Sequence, residues 1–356
     1  MTDGNAQRRR PVAHTMRAIV YSQTGTSDVL HEIDSQIPEP GAGEVRVRVI
    51  VSGVNPTDWK SRAGGASAPT RFPEQVPNQD GAGIVDAVGP GVEHLAPGDR
   101  VWMFLAAFDR PSGTAQEYTL LPAHLVAPLP EGVSFDVGAS LGVPALTAHR
   151  ALTVHDGGPS RLAPGSLAGR TVLVAGGAGA VGHAAIQLAR WAGATVVTTV
   201  SSDAKADLAL AAGAHTVVNY REQHAAAEIR AAAPDGVDIV VEVSPARNAE
   251  LNAAVLANQG SVAVYATDGG TEMSLDIRTH FALNIRYQFL LLYTMGTDAI
   301  TAAVEDVTAA LRDGALPVGQ EAGLPITRFA LEQTAAAHDA VEGGLVGKAL
   351  IDVATS

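Results

Sequence analysis

The sequence predicts an α/β protein of two parts, a mostly antiparallel β block and a doubly wound parallel sheet. Three observations carry this reading. Short apolar segments separated by Gly and Pro turns run to about residue 130. From residue 171 strands and helices alternate regularly, the pattern of a parallel sheet covered on both faces. A G-x-G-x-x-G loop stands at the first strand-to-helix junction of that alternation. The length of 356 residues also suits about two domains of ~150 residues.

In chain order, residues 1–15 are polar, with Arg8, Arg9 and Arg10 ahead of Pro11 and no apolar stretch behind them. A secretion signal needs an apolar core of about 7–15 residues, so this segment reads as a disordered tail on a cytoplasmic protein, with structure starting at Met16. Residues 17–21 form a first short strand. Residues 44–51 set Val45, Val47, Val49 and Val51 against Glu44, Arg46 and Arg48, the period of a half-buried strand. Two further strands, 81–88 and 100–104, are marked off by Gly89-Pro90-Gly91 and Pro97-Gly98-Asp99. Helices are expected over 136–141 and 145–152, broken by Pro144. The alternation then runs strand 171–175, helix 180–192, strand 195–200, helix 204–212 ended by Gly213, strand 216–219, helix 223–232, strand 237–243, helix 248–257 and strand 260–266. A long amphipathic helix over 297–313, a helix over 329–341 and a strand over 349–353 close the chain. The longest apolar run, 287–293, is far too short to span a bilayer of about 20 helical residues.

Composition excludes several chemistries. Zero Cys rules out disulfides, Fe–S clusters, thiolate zinc sites and a Cys nucleophile. A net charge of −13 with 4% aromatic residues argues against phosphate-neutralising or base-stacking contacts with nucleic acid.

The loop Gly176-Gly177-Ala178-Gly179-Ala180-Val181-Gly182 holds the G-x-G-x-x-G as Gly177, Gly179 and Gly182. Glycines there let the backbone approach a pyrophosphate, and the helix that follows offers free N–H groups and a partial positive charge. Strand, loop, helix and second strand in that order make the motif a dinucleotide site. The end of the second strand selects the dinucleotide. NAD binders place an acid about 20 residues past the loop to bond the ribose. Here Ser201 and Ser202 come first, then Asp203 and Lys205. Two hydroxyls and an ammonium suit a 2′-phosphate, and Tyr220 and Arg221 add a ring and a second cation after the third strand. NADPH is therefore the expected cofactor, although Ser201 and Ser202 also suit helix caps and Lys205 a solvated charge.

Further motifs extend over nearly the whole chain: Pro38-Glu39-Pro40-Gly41, Ser52-Gly53-Val54-Asn55-Pro56-Thr57-Asp58, Asp80-Gly81-Ala82-Gly83, Pro97-Gly98-Asp99-Arg100-Val101, Gly113-Thr114-Ala115-Gln116-Glu117-Tyr118, Leu146-Thr147-Ala148, Ala337-His338-Asp339-Ala340 and Gly347-Lys348. With the Gly loop, their order and spacing resemble the medium-chain dehydrogenase/reductase superfamily, in its zinc-independent, zeta-crystallin-like quinone oxidoreductase branch. The resemblance implies a GroES-like catalytic domain split between 16–143 and 318–356, with a Rossmann domain over 144–317. The zinc-dependent members use a Cys after the early Gly and a Gly-His-Glu further on. Here those places read Ser52-Gly53-Val54-Asn55 and Asn78-Gln79-Asp80-Gly81, so no catalytic zinc is expected.

The resemblance also places Thr147 beside the nicotinamide and Tyr265, Ala266 and Thr267 along its ribose and carboxamide, with Ser244 a further candidate. It implies that 290–293, including Leu292 and Tyr293, pass the cofactor and form a sheet edge that pairs two subunits into a homodimer. Electron-poor acceptors need no metal for hydride reduction; one hydrogen-bond donor at the carbonyl suffices, and water can supply the proton. Asn55 is a candidate to hold the ribose or the substrate carbonyl. Lys60 stands where many quinone reductases carry a Tyr; a cation there could polarise a carbonyl, or else pair with Asp58 or face solvent. Asp58 itself reads as a structural partner rather than a base. The expected function is hydride transfer from NADPH to a quinone or α,β-unsaturated carbonyl. The alternatives are an enoyl or alkenal reductase of one biosynthetic intermediate and a non-catalytic NADPH-binding redox sensor. The residues between Trp59 and Phe72 and those over 104–110 are expected to shape the pocket.

Overall fold

A computed structural model describes residues 15–64 and 72–354. The expected tail lies outside the described residues except for Thr15, which opens the first strand, Thr15–Val20. The stretch 65–71, in the expected pocket wall, lies outside them as well.

Two sheets organise the described chain. The first is mixed, with strand order Ile326–Ala330, Lys348–Asp352, Glu44–Val54, Asp80–Val88, Arg100–Met103 and Val126–Pro128, while Tyr118–Pro122 also pairs with Glu44–Val54. All its pairings are antiparallel except that of the two C-terminal strands. Glu44–Val54 is the hub because its Val side chains alternate into the core, Val45, Val47 and Val49 all being buried. Its end sets the site: Gly53 stands opposite Asp80 on one neighbour and Leu350 on the other.

The second sheet is parallel throughout, in the order Thr216–Asn219, Thr195–Val200, Thr171–Ala175, Val237–Glu242, Leu256–Val264 and Arg286–Phe289. Three of these strands coincide with their sequence-predicted bounds. Their near-continuous β-branched content buries both faces, as helices on either side require. The chain reverses direction of travel between Thr171–Ala175 and Val237–Glu242, which puts a crevice at the C-terminal ends of those two strands.

Several expectations are corrected. Pro144 does not break a helix. It lies in the first turn of one helix, Gly142–Thr153, where its missing N–H costs nothing. Residue 329 is in a strand, Ile326–Ala330, and the helix begins only at Thr334, because 326–330 pairs in parallel with 348–352. Strand pairing in the first sheet resumes at residue 326. The segment before it is tied to the helix Ala180–Trp191, with His183 Nε2 2.8 Å from the Ala322 carbonyl and Gln187 Nε2 2.9 Å from that of Pro317. The sheet edge expected over 290–293 is instead Arg286–Phe289. Beyond it the chain leaves the sheet into a short turn of 3₁₀ helix, Leu292–Thr294.

Candidate active site

Apart from Thr147, on the helix Gly142–Thr153, the predicted cofactor residues lie just past the C-terminal ends of the strands of the parallel sheet: the Gly loop after Thr171–Ala175, Ser201, Ser202 and Lys205 after Thr195–Val200, Tyr220 after Thr216–Asn219, Ser244 after Val237–Glu242, Tyr265 and Thr267 after Leu256–Val264, and Leu292 and Tyr293 after Arg286–Phe289. The helix Ala180–Trp191 starts from Gly179, which is exposed and offers no side-chain cap to the first-turn N–H groups at Ala180, Val181 and Gly182. A Cβ at Gly182 would stand 2.3 Å from the Gly176 oxygen; the loop can fold this tightly only with glycine there. Gly177 and Ala178 are buried beneath it. Lys205 Nζ lies 3.2 Å from Ser201 Oγ, and Ser202 makes no capping bond from its side chain. The Ser201 hydroxyl and the Lys205 ammonium are thus paired, with no carboxylate partner for Lys205 among the described residues, the donor set a 2′-phosphate requires. Tyr220 is exposed nearby in sequence, after the neighbouring strand. The residues present fit NADPH.

Two members of the predicted set are committed elsewhere. Ser244 Oγ donates to the Asp268 carbonyl at 2.5 Å, fastening the turn that carries Thr267. The Leu292 side chain is buried in the core, so only its backbone faces outward.

The catalytic candidates separate more sharply. Asn55 is 1% exposed, and both ends of its amide are used: Nδ2 donates to Asp80 Oδ2 at 2.7 Å, and Oδ1 accepts from Lys348 Nζ at 2.6 Å. These bonds tie Asn55 into the buried polar cluster and use one of its two Nδ2 hydrogens. Asp58 is buried too and accepts the Asn55 and Gln79 backbone N–H groups at 2.7 and 3.1 Å, the structural role expected of it. Lys60 belongs to the helix Pro56–Arg62, whose buried residues are Asp58 and Arg62. At 100° per residue it lies on the opposite side, exposed, with its ammonium 5.7 Å from the centre of the Trp59 ring. It neither pairs with Asp58 nor enters the polar cluster.

Asp80 links this cluster to Thr147. Its carboxylate accepts the Val143 N–H at 2.9 and 3.0 Å at the start of Gly142–Thr153, where an anion is favoured by the helix dipole. The approach is so close that a Cβ at Gly142 would stand 2.1 Å from Asp80 Oδ1. Thr147, one turn beyond Val143, is buried on this helix. Lys348 Nζ lies 3.7 Å from Asp80 Oδ2 and is itself 1% exposed. Burial pushes the Asp58 and Asp80 carboxyls up and the Lys348 ammonium down, while their opposite charges restrain each other.

Within the two segments that stand in place of the zinc-dependent members' motifs, 52–55 and 78–81, Ser52 Oγ bonds Thr114 Oγ1 at 2.7 Å and receives Asn78 Nδ2 at 3.0 Å. Asn78 Oδ1 in turn lies 2.9 Å from His338 Nε2. Hydroxyls and amides replace the thiolate and imidazole that zinc prefers; no group of three His, Asp or Glu that could hold a metal occurs among the described residues.

Comparison with known proteins agrees with this geometry. Residues 41–131 match the family described as "Alcohol dehydrogenase GroES-like domain", and residues 180–309 that described as "Zinc-binding dehydrogenase". The rat quinone oxidoreductase is 36% identical over 261 residues, which cover 73% of this chain and 75% of the rat protein. The chain belongs to the quinone oxidoreductase family. Its fold is α/β, with a GroES-like antiparallel part and a Rossmann sheet. Among solved structures, this family member is similar to a mycobacterial protein, Rv1454c, complexed with NADPH, at a TM-score of 0.77 and 30% identity over 94% of this chain and 99% of that one. It is similar as well to an NAD-dependent alcohol dehydrogenase, at a TM-score of 0.83 and 30% identity over 95% and 100% of the two chains. Between these two, Ser201 and Lys205, with no acid at the strand tip, favour NADPH.

Sequence reasoning missed Thr57, Phe108 and Lys348 as site residues. The Tyr293 hydroxyl donates to Thr57 Oγ1 at 2.8 Å, and its ring stacks on Phe108 with centres 4.7 Å apart. Thr57 lay within a quoted motif and Phe108 within the expected pocket loop; neither signalled a contact with a residue more than 180 positions away. The burial of Lys348 had only its apolar surroundings, Ala349 to Ile351, as a signal.

Proposed function

We propose that this protein reduces quinones or α,β-unsaturated carbonyls with NADPH, without a metal ion. The observation that carries the reading is the Lys205–Ser201 pair beside an uncapped, glycine-cradled helix start. In this reading Lys205, Ser201 and Ser202 hold the 2′-phosphate, with Tyr220 against the adenine side. The N–H groups from Gly177 to Gly182, through Ala178, Gly179, Ala180 and Val181, hold the pyrophosphate. Thr147, Ser244, Tyr265, Thr267 and the backbone at Leu292 flank the nicotinamide end. NADPH, when bound, supplies the hydride. The protein's task is then to orient the acceptor, exclude competing water and hold the carbonyl oxygen. Catalytic parts 16–143 and 318–356 enclose the nucleotide-binding part 144–317, a division supported by the sheet membership of their strands.

Purified protein is expected to oxidise NADPH when given 9,10-phenanthrenequinone or 1,4-benzoquinone; tight NADPH binding without turnover across a quinone and enone panel would instead leave a sensor. Lys205→Ala should weaken NADPH more than NADH in fluorescence titrations, and an equal loss for both would remove the 2′-phosphate assignment.

The reading includes a cytoplasmic setting and a homodimer. No helix among the described residues is long and apolar enough to cross a membrane. The dimer is supported by the open edge strand Arg286–Phe289, beside which Phe289 and Leu291 are 61% and 58% exposed. An apolar, unpaired edge of this kind invites a second copy.

A further inference from the structure

Position 60 leaves the acceptor without a donor, since Lys60 faces solvent. One turn earlier on the same helix, Thr57 is half-buried and receives the Tyr293 hydroxyl at 2.8 Å. Because Tyr293 donates, the Thr57 hydroxyl keeps its own proton to give, and no second partner for it occurs among the described residues. The contact joins two parts of the molecule. Thr57 follows the hub strand of the mixed sheet, whereas Tyr293 follows the last strand of the parallel sheet, at the edge where the cofactor residues collect. Phe108 lies against the Tyr293 ring, 27° from parallel, and is itself 38% exposed. Its loop is held in shape by Arg110, whose guanidinium donates to the Leu105 and Ala106 carbonyls, with Leu105 and Asp109 in left-handed conformations. Burial and the Asp58 and Asp80 carboxylates push the Tyr293 phenol well above its usual range, so it remains a donor at every working pH.

We propose that the Thr57 hydroxyl, oriented by Tyr293, is the hydrogen-bond donor to the acceptor's carbonyl oxygen, with the exposed face of Phe108 as the apolar wall for a planar ring. The inference rests on the reductase reading above. The acceptor takes up a hydride, with its two electrons; negative charge collects on the carbonyl oxygen, where the Thr57 O–H stabilises it, and a proton from water completes the reduction. Thr57 is then a catalytic residue and Tyr293 a positioning one.

The test uses Thr57→Val, Thr57→Ser and Tyr293→Phe in the full chain. By analogy with loss of a single oxyanion donor, Thr57→Val should lower kcat/KM for 1,4-naphthoquinone by about 10²-fold and Tyr293→Phe by about 10-fold, with Thr57→Ser within about threefold of wild type. NADPH affinity, read by fluorescence, should stay unchanged in both Thr57 variants. A second readout needs no turnover: the carbonyl band of 1,4-naphthoquinone bound to NADP⁺-saturated protein should lie at lower wavenumber in wild type and Thr57→Ser than in Thr57→Val. Unchanged kinetics in Thr57→Val, or the same carbonyl band in wild type and Thr57→Val, would overturn the assignment. Absence of wild-type turnover with any quinone or enone would overturn the reductase reading instead, and the infrared comparison would still decide the donor.

Discussion

The two oxygens of Asp80 serve the Val143 N–H, the Asn55 amide and the Lys348 ammonium at once. Asn55 and Lys348 are 293 positions apart in the chain. Burying two carboxylates and an amine is tolerable only because each meets an opposite charge or a directed donor. Lys348→Met would keep the side-chain bulk and leave Asp58 and Asp80 without their cation. The expected loss is about 3–5 kcal/mol of stability, measured by urea denaturation at pH 8. The loss should shrink at pH 5, where protonation of the stranded carboxyls relieves it. The network was only partly legible from residues taken singly: Asn55 read as a candidate for the ribose or the substrate carbonyl and Asp58 as a structural partner, but a buried lysine such as Lys348 is recognised only through its partners.

At the scale of elements, the parallel sheet was the most legible part, because each strand and helix there carries its own period and its own stop signal. Strands 171–175, 195–200 and 216–219 needed no partner to be found. The strand His31–Gln36 was missed because its sequence is mostly polar and it is held by pairing with Thr15–Val20. The helix Pro56–Arg62 was missed because seven residues are too few to show a period. The Gly loop makes a firm prediction at this scale. A Cβ at Gly182 would meet backbone at Gly176 and Gly177, not the movable end of a side chain, so Gly182→Ala must open the turn. NADPH affinity is expected to fall at least about 10-fold, an effect of some 1.4 kcal/mol, while far-UV circular dichroism stays native. In the loop over 104–110, Arg110→Ala should raise KM for the quinone with NADPH affinity unchanged, because Phe108 loses its support and the cofactor residues do not.

For the whole molecule, acid is the discriminating stress. Burial lowers His183 from the usual 6.5 to about 4, against the bond to Ala322 O, and burial, with Arg62 nearby, lowers His338 to about 3. Below pH 6.5 the unfolded chain binds protons that the folded chain refuses, so the stability from these neutral imidazoles is complete above pH 6.5 and is lost as pH falls towards 4 and 3. For His183 the gap amounts to about 3 kcal/mol. His183→Gln, which keeps a donor for Ala322 O, should flatten the stability profile between pH 6.5 and 4, leaving the His338 share. The homodimer reading belongs here too: Phe289→Asp should halve the mass seen by light scattering without lowering NADPH affinity.

The interleaving of the two sheets also dictates an order of assembly on the ribosome. Every strand of the parallel sheet lies between residues 171 and 289, so that sheet can close while later residues are still being made. The hub strand Glu44–Val54 must wait for Lys348–Asp352 to emerge before its last edge is paired. A nascent chain halted at residue 345 should therefore protect amides over 171–289 from hydrogen exchange while those of 51–54 that bond to 349–352 still exchange freely. The N-terminal third of the protein, first out of the tunnel, is the last to be finished.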